Sequence, residues 1–359
     1  MIDSVHIQNF KSIEEQFFIF KPITILTGTN SSGKSSIIQA ILLYSNYANK
    51  NDVLDGYLLQ LGGFVDLLRY YSKTKTFSIT PTLKGSKKSP SLKFNKESGT
   101  LSFSVNGKVL VDNFQAIDFP VFERDIYYIS ANRIGQENLP NNNDGKICGV
   151  NGEYIFGFYN RKKGELLPNR LLLSNDAVAH TLEANVGHWL KEILKLNLIP
   201  RTEKITNTNI KLLYENIDLE NFRLSPFNLG AGVSYLTKIL ILGLSLKEGD
   251  ILIVENPEAH LHPKSISRFA EFFAFLAEGG IQVILETHSE HIINKMRYLV
   301  FEEKISKDNI QIYYKERFDI PFKPMQINKM GKYIDSDNNI IEFPSGFFDG
   351  DLEELLRMM

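Results

Sequence analysis

One octapeptide limits the possible folds of this 359-residue chain more than any other feature. Residues 28–35 read G-T-N-S-S-G-K-S, which fits the pattern G-x-x-x-x-G-K-[ST]. The β-branched run at residues 23–27 predicts a buried strand, and apolar residues at helical spacing over residues 35–47 predict a helix. A strand, a glycine-rich turn and a helix in this order are the context in which the pattern binds phosphate. The sequence therefore predicts an α/β phosphate-binding loop (P-loop).

The residue types in this loop explain how it would hold a nucleotide. Glycine lets the backbone curl until successive N–H groups converge on phosphate oxygens, and the following helix adds the positive end of its dipole. Lys34 is predicted to reach the β- and γ-phosphates of ATP, and the Ser35 hydroxyl is predicted to bind Mg²⁺. The predicted nucleotide-binding residues of the loop are Asn30, Ser31, Ser32, Gly33, Lys34, Ser35 and Ser36.

Two further apolar strands are predicted to end in acidic residues. Residues 250–255 end at Glu255, and a P-loop enzyme needs a carboxylate there to hold the hydrated Mg²⁺. Residues 281–286 end at Glu286, two positions before His288. Because parallel strands bring their carboxyl ends to one crevice, we expect the two strands to be neighbours. His288 is then predicted to contact the γ-phosphate or the attacking water.

The long middle of the chain, about residues 49–224, predicts an antiparallel meander and one helix and otherwise shows no clear pattern. Alternating segments at residues 77–80, 92–94 and 101–105 indicate the meander, and residues 176–196 predict a helix. The composition, with a net charge of -2 and 43% hydrophobic residues, excludes a disordered chain and a globally basic nucleic-acid binder. A single cysteine excludes an internal disulfide, and no apolar run reaches the ~18 residues of a membrane span. We expect a cytoplasmic protein without membrane contact.

Five motifs in order resemble those of one known group of ATPases. They are Asn9-Phe10-Lys11-Ser12, the P-loop, residues 229–234 (L-G-A-G-V-S), residues 253–263 (I-V-E-N-P-E-A-H-L-H-P) and residues 286–291 (E-T-H-S-E-H). This order resembles the ABC-type ATPases of the overcoming-lysogenization-defect (OLD) and SMC-like group. Residues 343–348, F-P-S-G-F-F, are similar to the C-terminal element of a prokaryotic branch of that group. The resemblance covers about residues 1–50 and 226–359, with a weaker match at 128–135.

The resemblance implies the fold class and a division of the chain. It implies an α/β P-loop NTPase of ABC-ATPase type, with a mixed sheet flanked by helices, an antiparallel β-rich lobe and an insert between the P-loop and the signature segment. One head would then occupy residues 1–359. Its parts would be a P-loop lobe (1–50), the β-rich lobe and insert (51–224), a lobe with the signature, the acidic strand end and the switch histidine (225–300), and C-terminal strands and a helix (301–359).

The resemblance also implies a homodimer that encloses two ATP molecules with their Mg²⁺. In that arrangement Gly230, Gly232 and Ser234 of one head bind the γ-phosphate held by the other, and His288 is the switch histidine. A glutamine is expected as a ligand of Mg²⁺ beside Ser35 and Glu255, and Gln60 is the candidate.

This chain departs from the group at the catalytic acid. The group has Asp-Glu at the strand end, where this chain has Glu255-Asn256. Asn256 cannot accept a proton, although it can orient a water molecule. Either Glu286 or Glu258 is predicted to replace the general base; alternatively, hydrolysis is slow and the protein is an ATP-gated switch. OLD nucleases also carry a C-terminal Toprim domain, for which the last sixty or so residues here are too few, so nuclease activity is not expected.

Two functions from different classes follow. The first is an ATPase whose ATP-dependent homodimerisation regulates a separate effector protein in DNA repair or phage defence. The second is an ATP-sensing scaffold with little turnover, for which Asn256 is the sequence argument. Contact with DNA would use local basic runs at residues 84–88 and 161–163. A small-molecule kinase is disfavoured, because kinases need neither the signature segment nor the switch histidine.

Overall fold

The computed structural model describes residues 1–49, 61–69, 72–85, 90–105, 108–109, 117–143, 145–172 and 179–344. The chain divides into two compact units. The first unit comprises residues 1–124, 286–290 and 297–359, and the second comprises residues 125–285 and 291–296.

The described residues form both strands and helices. In chain order the strands are β1 (Ile2–Phe10), β2 (Ile13–Ile19), β3 (Ile23–Gly28), β4 (Thr76–Leu83), β5 (Ser91–Asn95), β6 (Thr100–Val105), β7 (Lys108–Val109), β8 (Ile126–Ile129), β9 (Leu198–Lys204), β10 (Ile210–Asn216), β11 (Phe222–Leu224), β12 (Ile251–Glu255), β13 (Gln282–Glu286), β14 (Ile310–Lys315), β15 (Lys323–Ile327) and β16 (Tyr333–Ile334). The α-helices are α1 (Ser35–Asn49), α2 (Ile155–Lys162), α3 (Leu182–Leu194), α4 (Ala231–Leu244), α5 (Pro263–Glu278) and α6 (Glu290–Phe301).

An antiparallel sheet in the first unit confirms the predicted meander. Its strand order is β2-β1-β4-β5-β6-β7, and β4, β5 and β6 are paired in sequence. Side chains alternate across β5, where Leu92 and Phe94 are buried and Lys93 between them is exposed. Phe94 packs against Phe77 of β4 with ring centroids 5.4 Å apart, so the apolar positions lie on one face.

The strand before the P-loop lies in the buried core of the first unit. β3 pairs in parallel with β14, and every residue of both strands is buried. β15 and β16 continue this group of strands with antiparallel pairing. The apolar, β-branched run therefore forms the buried strand that the sequence predicts, and it ends at Gly28, where the P-loop begins.

The second unit places helices beside a parallel strand pair. β12 pairs in parallel with β8, and β13 lies next to β12, which confirms that the strands ending in Glu255 and Glu286 are neighbours. Trp189 of α3 packs against Phe272 and Phe275 of α5, at ring-centroid distances of 5.0 and 5.3 Å. Parallel and antiparallel strands with packed helices confirm the mixed α/β fold class.

Some elements differ from the prediction. The helix predicted from residue 176 begins at Leu182, where the Thr181 hydroxyl accepts a hydrogen bond from the Ala184 N–H at 3.3 Å; residues 173–178 lie outside the described residues. The middle of the chain also contains α2 and a sheet of order β11-β10-β9, which the sequence pattern did not indicate.

Candidate nucleotide-binding site

Two glycines allow the backbone of the P-loop to turn tightly in the first unit. Gly28 has φ 138°, and a Cβ atom there would lie 1.9 Å from the carbonyl oxygen of Lys315. Gly33 has φ 94°, and its Cβ atom would lie 2.1 Å from Ser12 Oγ. No other residue type fits at either position without displacing its neighbours. Strand β14 and the segment before β2 thus enclose the loop from two sides.

Lys34 folds back across the loop that contains it. Its ammonium group donates a hydrogen bond to the Thr29 carbonyl oxygen at 2.5 Å, and the residue is 3% exposed. Ser32 Oγ donates to the same carbonyl at 2.9 Å. Burial lowers the pKa of Lys34, and the carboxylate of Glu286 opposes that shift. The loop is therefore a compact turn closed by its own lysine, with Asn30 and Ser31 exposed at its tip.

Ser35, the first residue of α1, contacts Glu286. Its hydroxyl donates a hydrogen bond to Glu286 Oε1 at 3.0 Å. The next residue, Thr287, is fixed because its N–H donates to the Leu26 carbonyl oxygen of β3 at 3.0 Å. The end of β13 is thus held against the P-loop within the first unit. The sequence pattern predicted a shared crevice but did not predict this direct contact.

His288 also faces the P-loop. Its pKa is lowered, first by burial of part of the ring and second by the positive charge of Lys34, while a hydrogen bond with the backbone of Gly28 raises it. Because the net shift is downward from an ordinary value near 6.5, His288 is neutral at physiological pH. A neutral imidazole beside the loop can donate to or accept from a phosphate or a water molecule.

Glu255 is a buried acid at the end of β12 in the second unit. It is 8% exposed, and its Oε2 accepts a hydrogen bond from the Ala131 N–H at 3.0 Å. Burial raises the pKa of this carboxyl, and the hydrogen bond from Ala131 acts in the opposite direction. Asn256 has a positive φ of 45°, and its buried Oδ1 has no hydrogen-bond partner among the described residues. That oxygen is available to hold a water molecule.

Arg133 positions this strand end, and the sequence pattern missed it. Its guanidinium donates to the carbonyl oxygens of Glu255 at 2.8 Å and of Asn256 at 2.7 Å, and it lies over the Tyr235 ring at 4.8 Å. A planar guanidinium holds two adjacent carbonyls in a fixed geometry. The only available signal was the weak family match at residues 128–135.

The three predicted signature residues differ in accessibility. Gly230 is exposed at the start of α4, and a Cβ atom there would meet nothing within 4 Å. Gly232 lies under the loop after β12, where a Cβ atom would be 2.3 Å from the His260 carbonyl oxygen. Ser234 is 1% exposed and points away from solvent. The accessible part of this segment is therefore the helix start at Gly230, and the structure offers no support for a contact by Ser234.

The residues present fit a Mg²⁺ ion that arrives with a nucleotide. The described residues contain no group of three or more His, Cys, Asp and Glu side chains that could hold a metal ion alone. Mg²⁺ on a nucleotide needs only one or two carboxylates, because the phosphates and water supply the other oxygens. Ser35 offers a hydroxyl oxygen and Glu286 a carboxylate oxygen as protein ligands. Gln60, the predicted glutamine ligand, lies outside the described residues.

Comparison with known proteins identifies the family. Residues 23–294 match the family described as "AAA domain, putative AbiEii toxin, Type IV TA system". The chain belongs to this ATPase family. The matched region includes the P-loop, Glu255 and His288.

One curated protein is similar to this chain over most of the chain's length. This chain is 26% identical over 336 residues to the Old nuclease of Escherichia phage P2, in an alignment that covers 81% of this chain and 57% of that protein. The chain thus spans little more than half of the relative's length.

The structural similarities are to heads of SMC proteins. An SmcHead bound to the C-winged helix domain of ScpA has a TM-score of 0.57 and 14% identity, covering 91% of this chain and 98% of that one. An Smc head with an extended coiled coil, bound to the C-terminal domain of ScpA derived from Pyrococcus furiosus, has a TM-score of 0.54 and 12% identity, covering 90% and 96%. These similarities show the ABC-type head fold. No helix in the described part of the chain is long and apolar enough to cross a membrane.

Proposed function

We propose that this protein binds ATP with Mg²⁺ at its P-loop, hydrolyses it slowly, and uses ATP to close a homodimer that regulates a separate effector protein. The observation that carries the proposal is the P-loop itself. Lys34 and Ser35 lie at the start of a helix, and a phosphate oxygen would replace the Thr29 carbonyl as the acceptor for the Lys34 ammonium. The effector and its role in DNA repair or phage defence are inferred from the resemblance to OLD proteins.

The proposed catalytic residues are Glu255, Asn256, Glu286 and His288. Hydrolysis transfers the γ-phosphoryl group to water, and catalysis in this class is mainly positioning and electrostatic stabilisation. Neutral His288 can hold the water or the γ-phosphate, and Asn256 can orient the water through its Oδ1. Slow turnover follows from Asn256, because an amide does not remove a proton.

The second candidate function, an ATP-sensing scaffold, is favoured by the same Asn256. A phosphate-release assay separates the two candidates. We expect wild-type protein to release phosphate from ATP over many turnovers, with Lys34→Ala as the inactive control. If wild-type protein binds ATP but releases no phosphate above that control, the scaffold function is the correct one.

The proposed dimer uses the exposed start of α4. Gly230 presents backbone N–H groups at a helix start, which is a favourable place for an anion such as a γ-phosphate. Gly232 supports the arrangement indirectly, since it lets the loop that carries His260 pack on this helix. The contact with ATP would therefore come from the backbone near Gly230 of one head.

A basic groove in the first unit is the best candidate surface for contact with DNA. The groove has a volume of about 750 Å³, and half of its ten lining residues are basic: Lys11, Arg69, Lys73, Lys75 and Lys96. Asp66 also lines it, and Arg69 and Lys75 pair with Glu14 and Glu97, so Lys73 and Lys96 are the lysines chosen for the test. The predicted run at residues 161–163 is instead used within the protein: Arg161 donates to Lys146 O and Lys163 to Thr202 O, both at 2.8 Å. The other predicted run lies partly outside the described residues.

A double variant tests this surface. We expect Lys73→Glu with Lys96→Glu to weaken binding of a DNA duplex and to reduce its salt dependence, because phosphate contacts release counterions. Lys304→Glu with Lys332→Glu is the control, since both lysines are exposed residues of the same unit and neither lines the groove. Equal binding by the double variant and the control would exclude the groove.

A further inference from the structure

The Glu286 carboxylate lies against the start of α1, beside Ser35 and Lys34 of the P-loop. Its Oε1 is 3.0 Å from Ser35 Oγ, and the residue is 7% exposed. It also interacts with the charge of Lys34. The acid therefore faces the two P-loop side chains that are proposed to hold the cation and the phosphates.

The separation of the two oxygens suits joint ligation of one cation. Mg²⁺ demands near-ideal octahedral geometry with oxygens at about 2.0–2.1 Å, which puts neighbouring ligands about 2.8–3.0 Å apart. Ser35 Oγ and Glu286 Oε1 already have this separation. A hydroxyl and one carboxylate, completed by phosphate and water oxygens, are a usual ligand set for nucleotide-bound Mg²⁺.

We infer that Glu286 is a direct ligand of the nucleotide's divalent cation, paired with Ser35, and not the general base. This inference rests on the proposed ATP-binding function. A carboxylate bound to a cation has its charge compensated by the metal, so it has little affinity for a proton from water. Glu286 then fixes the Mg²⁺–ATP complex at the P-loop, and proton removal falls to another group or stays slow.

The test compares nucleotide affinity with and without Mg²⁺ in wild type, Glu286→Gln and Glu316→Gln. A non-hydrolysable ATP analogue in calorimetry separates binding from turnover. Glu316 is an exposed acid beside the loop whose backbone oxygen accepts a hydrogen bond from the Thr29 hydroxyl, so its variant removes a nearby charge without altering the contact with Ser35. Identical circular dichroism spectra of the three proteins show that the substitutions leave the fold intact.

We expect Mg²⁺ to strengthen analogue binding in wild type and in Glu316→Gln. In Glu286→Gln this gain should shrink by about 10–100-fold, the effect of disturbing a metal site. Affinity without Mg²⁺ should stay equal or rise in that variant, because a negative charge near the phosphates is gone. Electron paramagnetic resonance with Mn²⁺ gives a second readout: the signal of Mn²⁺ bound with the analogue should weaken in Glu286→Gln alone.

Other results would overturn the inference in distinguishable ways. An unchanged Mg²⁺ gain in Glu286→Gln with strongly reduced turnover would identify Glu286 as the general base instead. An unchanged gain with only a lower melting temperature would make the contact with Ser35 purely structural. If wild-type protein bound no analogue under any condition, the proposed function itself would fail, and the inference with it.

Discussion

At the scale of single residues, two buried charged side chains, one in each unit, are unfavourable for folding. Lys34 and Glu255 are both at least nine-tenths buried. Burial lowers the pKa of Lys34 and raises the pKa of Glu255, and both shifts favour the neutral form of the side chain. Desolvation of this kind costs stability unless an opposite charge compensates it. A bound triphosphate and Mg²⁺ would supply such charges. Strongly shifted pKa values of this kind are concentrated at functional sites.

Glu255→Gln should therefore raise the melting temperature at pH 8. Gln keeps an oxygen that can accept from Ala131 but removes the buried charge, and about 1 kcal/mol shifts a domain of 150–250 residues by roughly 2–4 °C. The advantage should shrink as pH falls. Because the folded-state pKa of Glu255 is raised, the wild-type folded state takes up a proton there and gains stability as pH falls through that pKa.

Thermal scans at several pH values measure this difference. Glu248→Gln is the control, since Glu248 is an exposed acid of the same unit. A Glu255→Gln variant that melts lower than wild type at pH 8 would show that the charge is compensated within the protein, contrary to the direction of its pKa shift.

At the scale of secondary-structure elements, the end of β12 depends on a side chain from the segment after β8. Arg133 binds two consecutive carbonyl oxygens there and stacks on Tyr235, which in turn stacks on His260 with ring centroids 5.1 Å apart. These contacts join β12, the loop after it and the start of α4. The geometry of Glu255 and Asn256 is thus set by one buried cation.

Arg133→Lys should lower turnover while leaving ATP affinity nearly unchanged. Lysine offers a point charge without the planar fork, so it cannot hold both carbonyls at once. A loss of about 10–100-fold in kcat is the expected size for a residue that orients ligands or catalytic groups. Steady-state kinetics with ATP measure kcat and KM separately.

Arg223→Lys is the matched control, because Arg223 is half exposed and pairs with Glu203 at 3.1 Å. A folded Arg133→Lys protein with the kcat of this control would mean that the strand end has no part in hydrolysis.

Sequence periodicity predicted those elements whose burial pattern is regular, and it missed those that depend on tertiary contacts. β3, β12 and β13 are short apolar runs with every residue buried, so composition and length were sufficient. α2 contains Gly157, which lowers its helix propensity; a Cβ atom there would lie 2.5 Å from the Asn141 carbonyl oxygen. No local pattern can report that packing requirement.

The sequence pattern also missed the strand β9 and the contact between Ser35 and Glu286. β9 contains Pro200, which disfavours a strand, but β9 lies at the edge of its sheet, where proline is tolerated. For the site, the P-loop motif located Lys34 and Ser35 because its chemistry is local in sequence. The contact between Ser35 and Glu286 joins residues 251 positions apart, which only the folded chain reveals.

At the scale of the whole molecule, the proposed ATP-dependent dimerisation can be tested by a substitution at Gly230. Gly230 precedes α4 with φ −61° and has open space around its Cα, so Gly230→Asp fits and even provides a favourable helix cap. Its carboxylate would repel a γ-phosphate from a second head. Gly232→Asp is unsuitable, because its side chain would collide with His260 and disturb the fold.

We expect sedimentation velocity to show a dimer for wild type with ATP and Mg²⁺, and a monomer for Gly230→Asp under the same conditions. Gly164→Asp controls for the added charge, since a Cβ atom at Gly164 also meets nothing within 4 Å. If wild type, variant and control sediment alike with ATP, the dimer proposal is wrong.

The most direct test of the whole proposal is calorimetric titration of Mg²⁺–ATP into wild-type protein and Lys34→Ala. A hydrogen bond to a charged group is worth about 1.5–3 kcal/mol, so the variant should bind roughly 10–150-fold more weakly. Lys332→Ala, which alters an exposed lysine of the same unit, should bind as wild type does. Saturable binding in wild type, weakened to that extent in Lys34→Ala, is the predicted result. Equal ATP affinity in the two proteins would contradict the assignment of the P-loop as the ATP site.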